Sequence, residues 1–357
     1  MSTAERARVA ACWLIAGAFA LALALWGIGG ATPRVVAQAS GYDMLGAALQ
    51  AWGIAPITVS EDNASAAESR EVVAQPAREV QLAPLPDRPG YTLYVPQGPD
   101  VPRQAVLVLH GMGDNGPSIA TQLLPYARAH NWVVIAPTIP YGDWRSPDAL
   151  TGEELRLLPQ LANLLASVPA ETGVKLSGRT LLFGFSRGAQ AALRFTMLYP
   201  ERVEAVAALS AGTYTLPVKS VLTSAGVTRA PLPFGVADLE QLAGRGIDPV
   251  RLAGVRFWIG VGARDNNYND VPRQWDPFVG STRVERATRY ASVLSELGCD
   301  AQVSVVPNAG HEISAAMVEQ FTGFLGAAAE RALVHLEPST SVASVPLMAA
   351  RKINRGV

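Results

Sequence analysis

Leu181-Leu182-Phe183-Gly184-Phe185-Ser186-Arg187-Gly188-Ala189-Gln190 closes an apolar run and opens a segment with helical spacing. A serine stands at the junction, with a glycine two residues to either side. The apolar run suits a buried strand and the residues after it a helix. The form is therefore G-x-S-x-G between a strand and a helix. In that setting a serine can sit on a sharp, strained turn that lifts its hydroxyl above a sheet. The helix N-terminus beneath it favours developing negative charge. Taken alone, the pentapeptide fits an ordinary strand-to-helix turn with a serine N-cap equally well. The rest of the chain has to choose between the two.

Working outward, strands and helices alternate. The stretches EVQLAP and YTLYVPQ predict a first pair of short strands. QAVLVLHG, WVVIAPTIP, RTLLFGFS, VEAVAALSAG, VRFWIGVGARD and AQVSVVPN are continuous apolar runs bounded by turn residues, which suits strands buried on both faces. Between them, PSIATQLLPYARAH, TGEELRLLPQLANLLASV, GAQAALRFTMLYP, STRVERATRYASVLSELG and ISAAMVEQFTGFLGAAAERAL have helical spacing. Buried strands joined by crossover helices predict an α/β fold: a mostly parallel central sheet with helices on both faces. Functional groups in such sheets collect beyond the carboxyl ends of the strands. The alternation lapses over 213–254, which predicts a lid-like insertion.

Charge and composition narrow the partners. The chain has 357 residues, 49% hydrophobic and 17% charged, which supports a sizeable core. Its net charge of -1, with no basic stripe, argues against a nucleic-acid partner. Two cysteines, Cys12 and Cys299, are too few for a disulfide framework or a thiolate metal cluster. Residues 1–30 predict a targeting segment. Arg6 and Arg8 precede the uncharged stretch Val9–Ile28, long enough either for a membrane anchor or for a signal peptide. Ala37-Gln38-Ala39 fits a cleavage site. Either reading places the remainder outside the cytoplasm, with the membrane as a partner where the segment is retained. Residues 31–78 read as a flexible linker, 79–334 as the catalytic domain and 335–357 as a disordered tail.

A serine hydroxyl is a weak nucleophile and needs a base beside it. The chain offers four histidines. His130 ends an early predicted helix, His335 borders the tail, and His110 stands directly before the glycines of HGMGDN. Only His311, in PNAGHE, falls in a loop just past the last predicted strand, at the edge where Ser186 lies. An imidazole acting as base needs a carboxylate to orient it. Asp265 ends VRFWIGVGARD, with Asp270, Asp276 and Asp300 as competitors. The order Ser186, Asp265, His311 is the one expected of this architecture. An acyl-transfer site also needs N–H donors for an oxyanion. The glycine turn after QAVLVLH provides one, and the N–H of Arg187 the other.

These residues carry a resemblance. HGMGDNG together with GFSRGA is similar to the carboxylesterase/phospholipase group of α/β-hydrolases, and to related esterases acting on polyhydroxyalkanoate or feruloyl esters. The resemblance spans about Glu79 to Leu333. It implies an α/β-hydrolase fold, a Ser186–Asp265–His311 triad, and oxyanion N–H groups at Met112 and Arg187. Arg187 departs from the group, whose closest members carry glutamine there. Its side chain would then face an acidic substrate group or make a structural salt bridge. The implied activity is hydrolysis of a small-molecule or polymeric carboxylic ester, with no cofactor and no metal. A serine peptidase or amidase on the same fold, and a catalytically silent binding protein, are the alternatives. Dehalogenases and epoxide hydrolases need an aspartate nucleophile, which Ser186 excludes, and dienelactone hydrolases carry a cysteine there and fit less well.

Other features compete with plainer roles. Trp144 follows a strand end and is a candidate pocket wall, as is Phe185 inside the serine turn. Trp275 and Phe278 are read as pocket or core. The oxygen-rich stretch Asp265–Asp270 faintly resembles a calcium loop but lacks its glycine. Cys299 is read as buried and inert.

Overall fold

The computed structural model describes residues 78–336. The expected targeting segment, the linker up to residue 77 and the tail from residue 337 lie outside them. Among the described residues, no helix is long and apolar enough to cross a membrane.

Among the described residues, ten strands are formed: β1 (Arg78–Leu82), β2 (Tyr91–Val95), β3 (Arg103–Leu109), β4 (Val133–Pro137), β5 (Leu176–Phe185), β6 (Val203–Leu209), β7 (Ser220–Thr223), β8 (Gly226–Arg229), β9 (Arg256–Gly262) and β10 (Asp300–Val306). Eight make one sheet in the order β1-β2-β4-β3-β5-β6-β9-β10. β1 and β2 pair antiparallel at one edge; from β4 to β10 all pairing is parallel. β7 and β8 form a separate hairpin.

The continuous apolar character of the inner strands follows from burial on both faces. In β3, Ala105, Leu107 and Leu109 pack into one core, while Val106 and Val108 pack into the other. The first core is covered by α1 (Pro147–Thr172), α2 (Arg187–Leu198) and α3 (Arg283–Glu296). The second lies under α4 (Ala315–Leu336) and the short helices Gly116–Ala120 and Leu124–Ala129. The single helix expected over 117–130 is thus two. Both have a proline in their first turn. Proline is tolerated there and breaks a helix that would run into it. α1 starts on a Ser146 N-cap, and α3 on a Thr282–Glu285 capping box, each satisfying N–H groups a helix start leaves open.

The lid-like insertion is expected over residues 213–254. They supply none of the side chains lining the cleft that holds Ser186. Tyr214, Leu216, Val221, Val236, Leu239 and Leu252 are buried in the first core instead. These side chains extend that core sideways, while Leu222, Val227, Leu242 and Val250 stay exposed.

Candidate active site

Ser186 follows the last residue of β5 and precedes α2 with φ 52° and ψ -112°. This is a strained backbone for a residue with a Cβ, costing on the order of 1–3 kcal/mol. Two glycines make it possible. A Cβ on Gly184 would strike the Gly188 carbonyl, and one on Gly188 would strike the Leu109 carbonyl of β3. The Ser186 N–H donates to Leu209 O of β6 at 2.8 Å, pinning the turn. The Ser186 hydroxyl makes no capping bond to the helix, so the ordinary N-cap alternative does not describe it.

The hydroxyl goes to a histidine instead. His311 Nε2 lies 3.0 Å from Ser186 Oγ, and its Nδ1 lies 2.8 Å from Asp265 Oδ2. Asp265 sits just past β9 and His311 past β10, so three strand ends converge. Asp265 is buried, while Ser186 and His311 face a cleft of about 330 Å³. Met112, Trp144, Phe185 and Arg187 line the same cleft. The Phe185 ring rests 5.0 Å from that of His311 and so limits its tilt. Trp144 is covered by the Arg145 guanidinium at 4.0 Å. The Arg187 N–H belongs to the first turn of α2, where a helix supplies no acceptor.

His110 has a different task. Its Nε2 accepts from the Ile139 N–H at 2.9 Å, so Nδ1 carries the proton and donates to Gly111 O at 2.7 Å. Burial lowers its pKa and keeps it neutral. It thereby clamps the glycine turn that contains Met112. His130 stacks on Trp132 at 4.8 Å, outside the cleft. Trp275 is buried and donates its indole N–H to Tyr214 O at 3.0 Å; Phe278 stacks on Phe234. Neither lines the cleft, so both follow the core reading. Both Asp265 oxygens are taken, by His311 and Arg283, which leaves the calcium-type stretch without its first ligand. Cys299 is buried against Leu252 O, and burial pushes its thiol up to about 11.

One cation, Arg283, has a role that the sequence did not point to. Arg283 donates from Nη1 to Asp265 Oδ1 at 2.7 Å and from Nη2 to Asp270 O at 3.1 Å. It ties the buried carboxylate to the loop that follows β9. Arg187 makes the salt-bridge alternative of the two considered. It reaches Glu154 and Glu153 at 2.5 Å each, and Arg194 also reaches Glu154 at 3.2 Å. Burial opposes the Arg187 charge, but Glu154 and Glu153 more than offset it, so its pKa is raised. Two arginines and two glutamates make a neutral quartet beneath the serine turn. The capping pattern of α3 was legible in STRVERA, but nothing local pointed from Arg283 to Asp265.

A larger cleft of about 560 Å³ opens beside β1 and β2. Its lining holds no serine, cysteine, histidine or carboxylate.

No protein-family model matches the chain, and no curated protein matches it. Solved structures do. Poly(aspartic acid) hydrolase-1 from Sphingomonas sp. KT-1 is 20% identical, covering 70% of this chain and 98% of that one, with a TM-score of 0.53. A poly(3-hydroxybutyrate) depolymerase from Bordetella parapertussis is 23% identical, covering 70% of this chain and 89% of that one, with a TM-score of 0.51. At this level of identity the likeness concerns the fold, and the chain has the α/β-hydrolase fold.

Proposed function

We propose that this chain, built on the α/β-hydrolase fold, is a serine esterase that cleaves carboxylic esters outside the cytoplasm. The observation that carries the reading is the pair of hydrogen bonds linking Ser186 to His311 and His311 to Asp265 at the wall of a cleft. Ser186 Oγ attacks the ester carbonyl carbon, and His311 Nε2 takes the hydroxyl proton. The carbonyl oxygen becomes an oxyanion served by the Met112 and Arg187 N–H groups. Its collapse breaks the ester C–O bond, and His311 returns the proton to the leaving alcohol. Water then attacks the acyl-serine by the same proton path, releasing the acid and restoring Ser186. Asp265 holds the His311 Nδ1–H and balances the imidazolium. The substrate is a small or polymeric ester whose reacting end fits the cleft. Arg6 and Arg8 ahead of Val9–Ile28 support export. A phosphatase active only when exported, fused after that stretch, tests the location.

The direct test is treatment of the full-length protein with a fluorophosphonate, followed by peptide mass mapping. The adduct is expected on Ser186, with hydrolysis of p-nitrophenyl butanoate and no turnover of aminoacyl anilides. Folded protein that takes no label would return Ser186 to the role of a turn residue and favour the binding-protein alternative. Cleavage of the anilides in preference to the ester would favour the peptidase.

Arg283 is a positioning residue in this scheme, because its two-pronged contact holds Asp265 against the following loop. Arg283→Lys keeps the charge but not the fork. It is expected to lower kcat about tenfold, the worth of one charge-assisted hydrogen bond, with KM little changed. A rise in KM at constant kcat would contradict this role.

A further inference from the structure

The cleft contains a polar side chain that the ester-cleavage scheme does not use. Gln190 lies one helical turn beyond Ser186 in α2, about 6 Å along the axis. It is buried, yet it lines the cleft. The surrounding hydrogen bonds decide which end of its amide faces where. Arg194 Nη2 donates to Thr213 Oγ1 at 2.8 Å, and arginine has no acceptor to offer in return. The Thr213 hydroxyl must therefore send its own proton elsewhere, and it donates to Gln190 Oε1 at 2.7 Å. The oxygen is committed to Thr213, which leaves Nε2 as the free end of the amide. No hydrogen bond takes up Nε2 among the described residues. Gly212 also lines the cleft, and a Cβ on it would come within 3.3 Å of Nε2. Glycine there keeps the space in front of the amide open.

We propose that Gln190 is a substrate-recognition donor that selects esters bearing an uncharged oxygen acceptor a few bonds from the scissile carbonyl. The inference rests on the esterase reading above and deepens it. The acceptor is a hydroxyl, ether, carbonyl or further ester oxygen. A carboxylate fits less well, because both cleft arginines are already paired with carboxyl groups and the cleft also carries Asp114 and Asp270. The oxygen belongs either to the acyl chain or to the alcohol, and both sources share this chemistry.

Matched esters in which one methylene becomes an ether oxygen test it. On the acyl side, p-nitrophenyl 3-methoxypropanoate is compared with p-nitrophenyl pentanoate. On the alcohol side, 2-methoxyethyl butanoate is compared with butyl butanoate. Each kcat/KM ratio is divided by the ratio for hydroxide-catalysed hydrolysis, which removes the inductive effect of the ether. The wild type is expected to favour the oxygen-bearing ester about fivefold on one arm, the worth of one neutral hydrogen bond. Gln190→Glu keeps an oxygen for Thr213 and puts a second oxygen where Nε2 stood, so the preference should vanish or reverse. Gln190→Met should abolish it. Gly212→Ala crowds Nε2 from the front without touching the Thr213 bond, and should lower it. Ratios near one on both arms in the wild type overturn the assignment while leaving the esterase reading intact. So does a preference that survives all three substitutions in folded protein. If the wild type cleaves none of the four esters and takes no fluorophosphonate, the esterase reading itself has failed.

Discussion

Ser186→Ala and His311→Ala are each expected to lower kcat on p-nitrophenyl butanoate by about 10⁶, and the double variant by no more than either alone. The reason is that they act as one unit. Without the His311 imidazole 3.0 Å away, the Ser186 hydroxyl is an ordinary weak nucleophile. Without the hydroxyl, the imidazole has nothing to activate. Losses that multiply instead of saturating would mean that the two side chains work independently, and would sink the acyl-enzyme scheme. Steady-state kinetics on the three purified variants decide it.

Asp265→Asn belongs to the same series, with an expected loss of about 10⁴ in kcat. Here the surroundings determine the outcome. Arg283 can only donate, so an asparagine must turn its oxygen towards Arg283 and its NH₂ towards His311. His311 Nδ1 then has to accept, and the imidazole proton moves to Nε2, facing Ser186. That is the wrong tautomer for a base. Removing Arg283 in the Asp265→Asn background frees the amide to rotate, so Arg283→Met should recover part of the lost rate. A further fall of the full size expected for Arg283 alone would contradict the tautomer argument.

The second large effect concerns stability. Glu154→Ala is expected to cost about 3–5 kcal/mol, because it leaves Arg187 and Arg194 buried without the carboxylate they share. For a domain of this size that is a fall of roughly 10 °C in Tm. Arg194 shows the tension in the native protein: burial pushes its pKa down to about 10 despite Glu154. The quartet also reaches the serine turn. Arg187 is the first residue of α2, Glu153 also accepts from the Gly142 N–H, and the Arg187 guanidinium lies 4.9 Å over the Tyr141 ring. Kinetic damage should therefore accompany the loss of stability. The exposed pair Lys175–Asp100 is the internal control, and Asp100→Asn should leave the melting curve unmoved. Equal melting temperatures for Glu154→Ala and the wild type would show that the buried charges are solvated in some other way.

Much of this protein could be read before any coordinates. Strand and helix alternation specified the α/β class because apolar runs bounded by turns have few other uses. The triad candidates could be chosen because each lies within a few residues of a predicted strand end, and parallel strands bring those ends to one edge. The serine turn was legible because its glycines are demanded by contacts inside one short motif. The remainder depends on partners far along the chain. Arg283 is 18 residues from Asp265, Glu154 is 33 from Arg187, and Thr213 is 23 from Gln190. No local spacing links such pairs. The same is true of residues 213–254, whose apolar side chains suit a lid and a core flank alike until the neighbours are present. Residue type and short-range pattern determined which groups could react. Only packing decided which charges are neutralised, which way an amide faces and which loop walls the cleft, because burial and hydrogen-bond partners arise when distant segments meet.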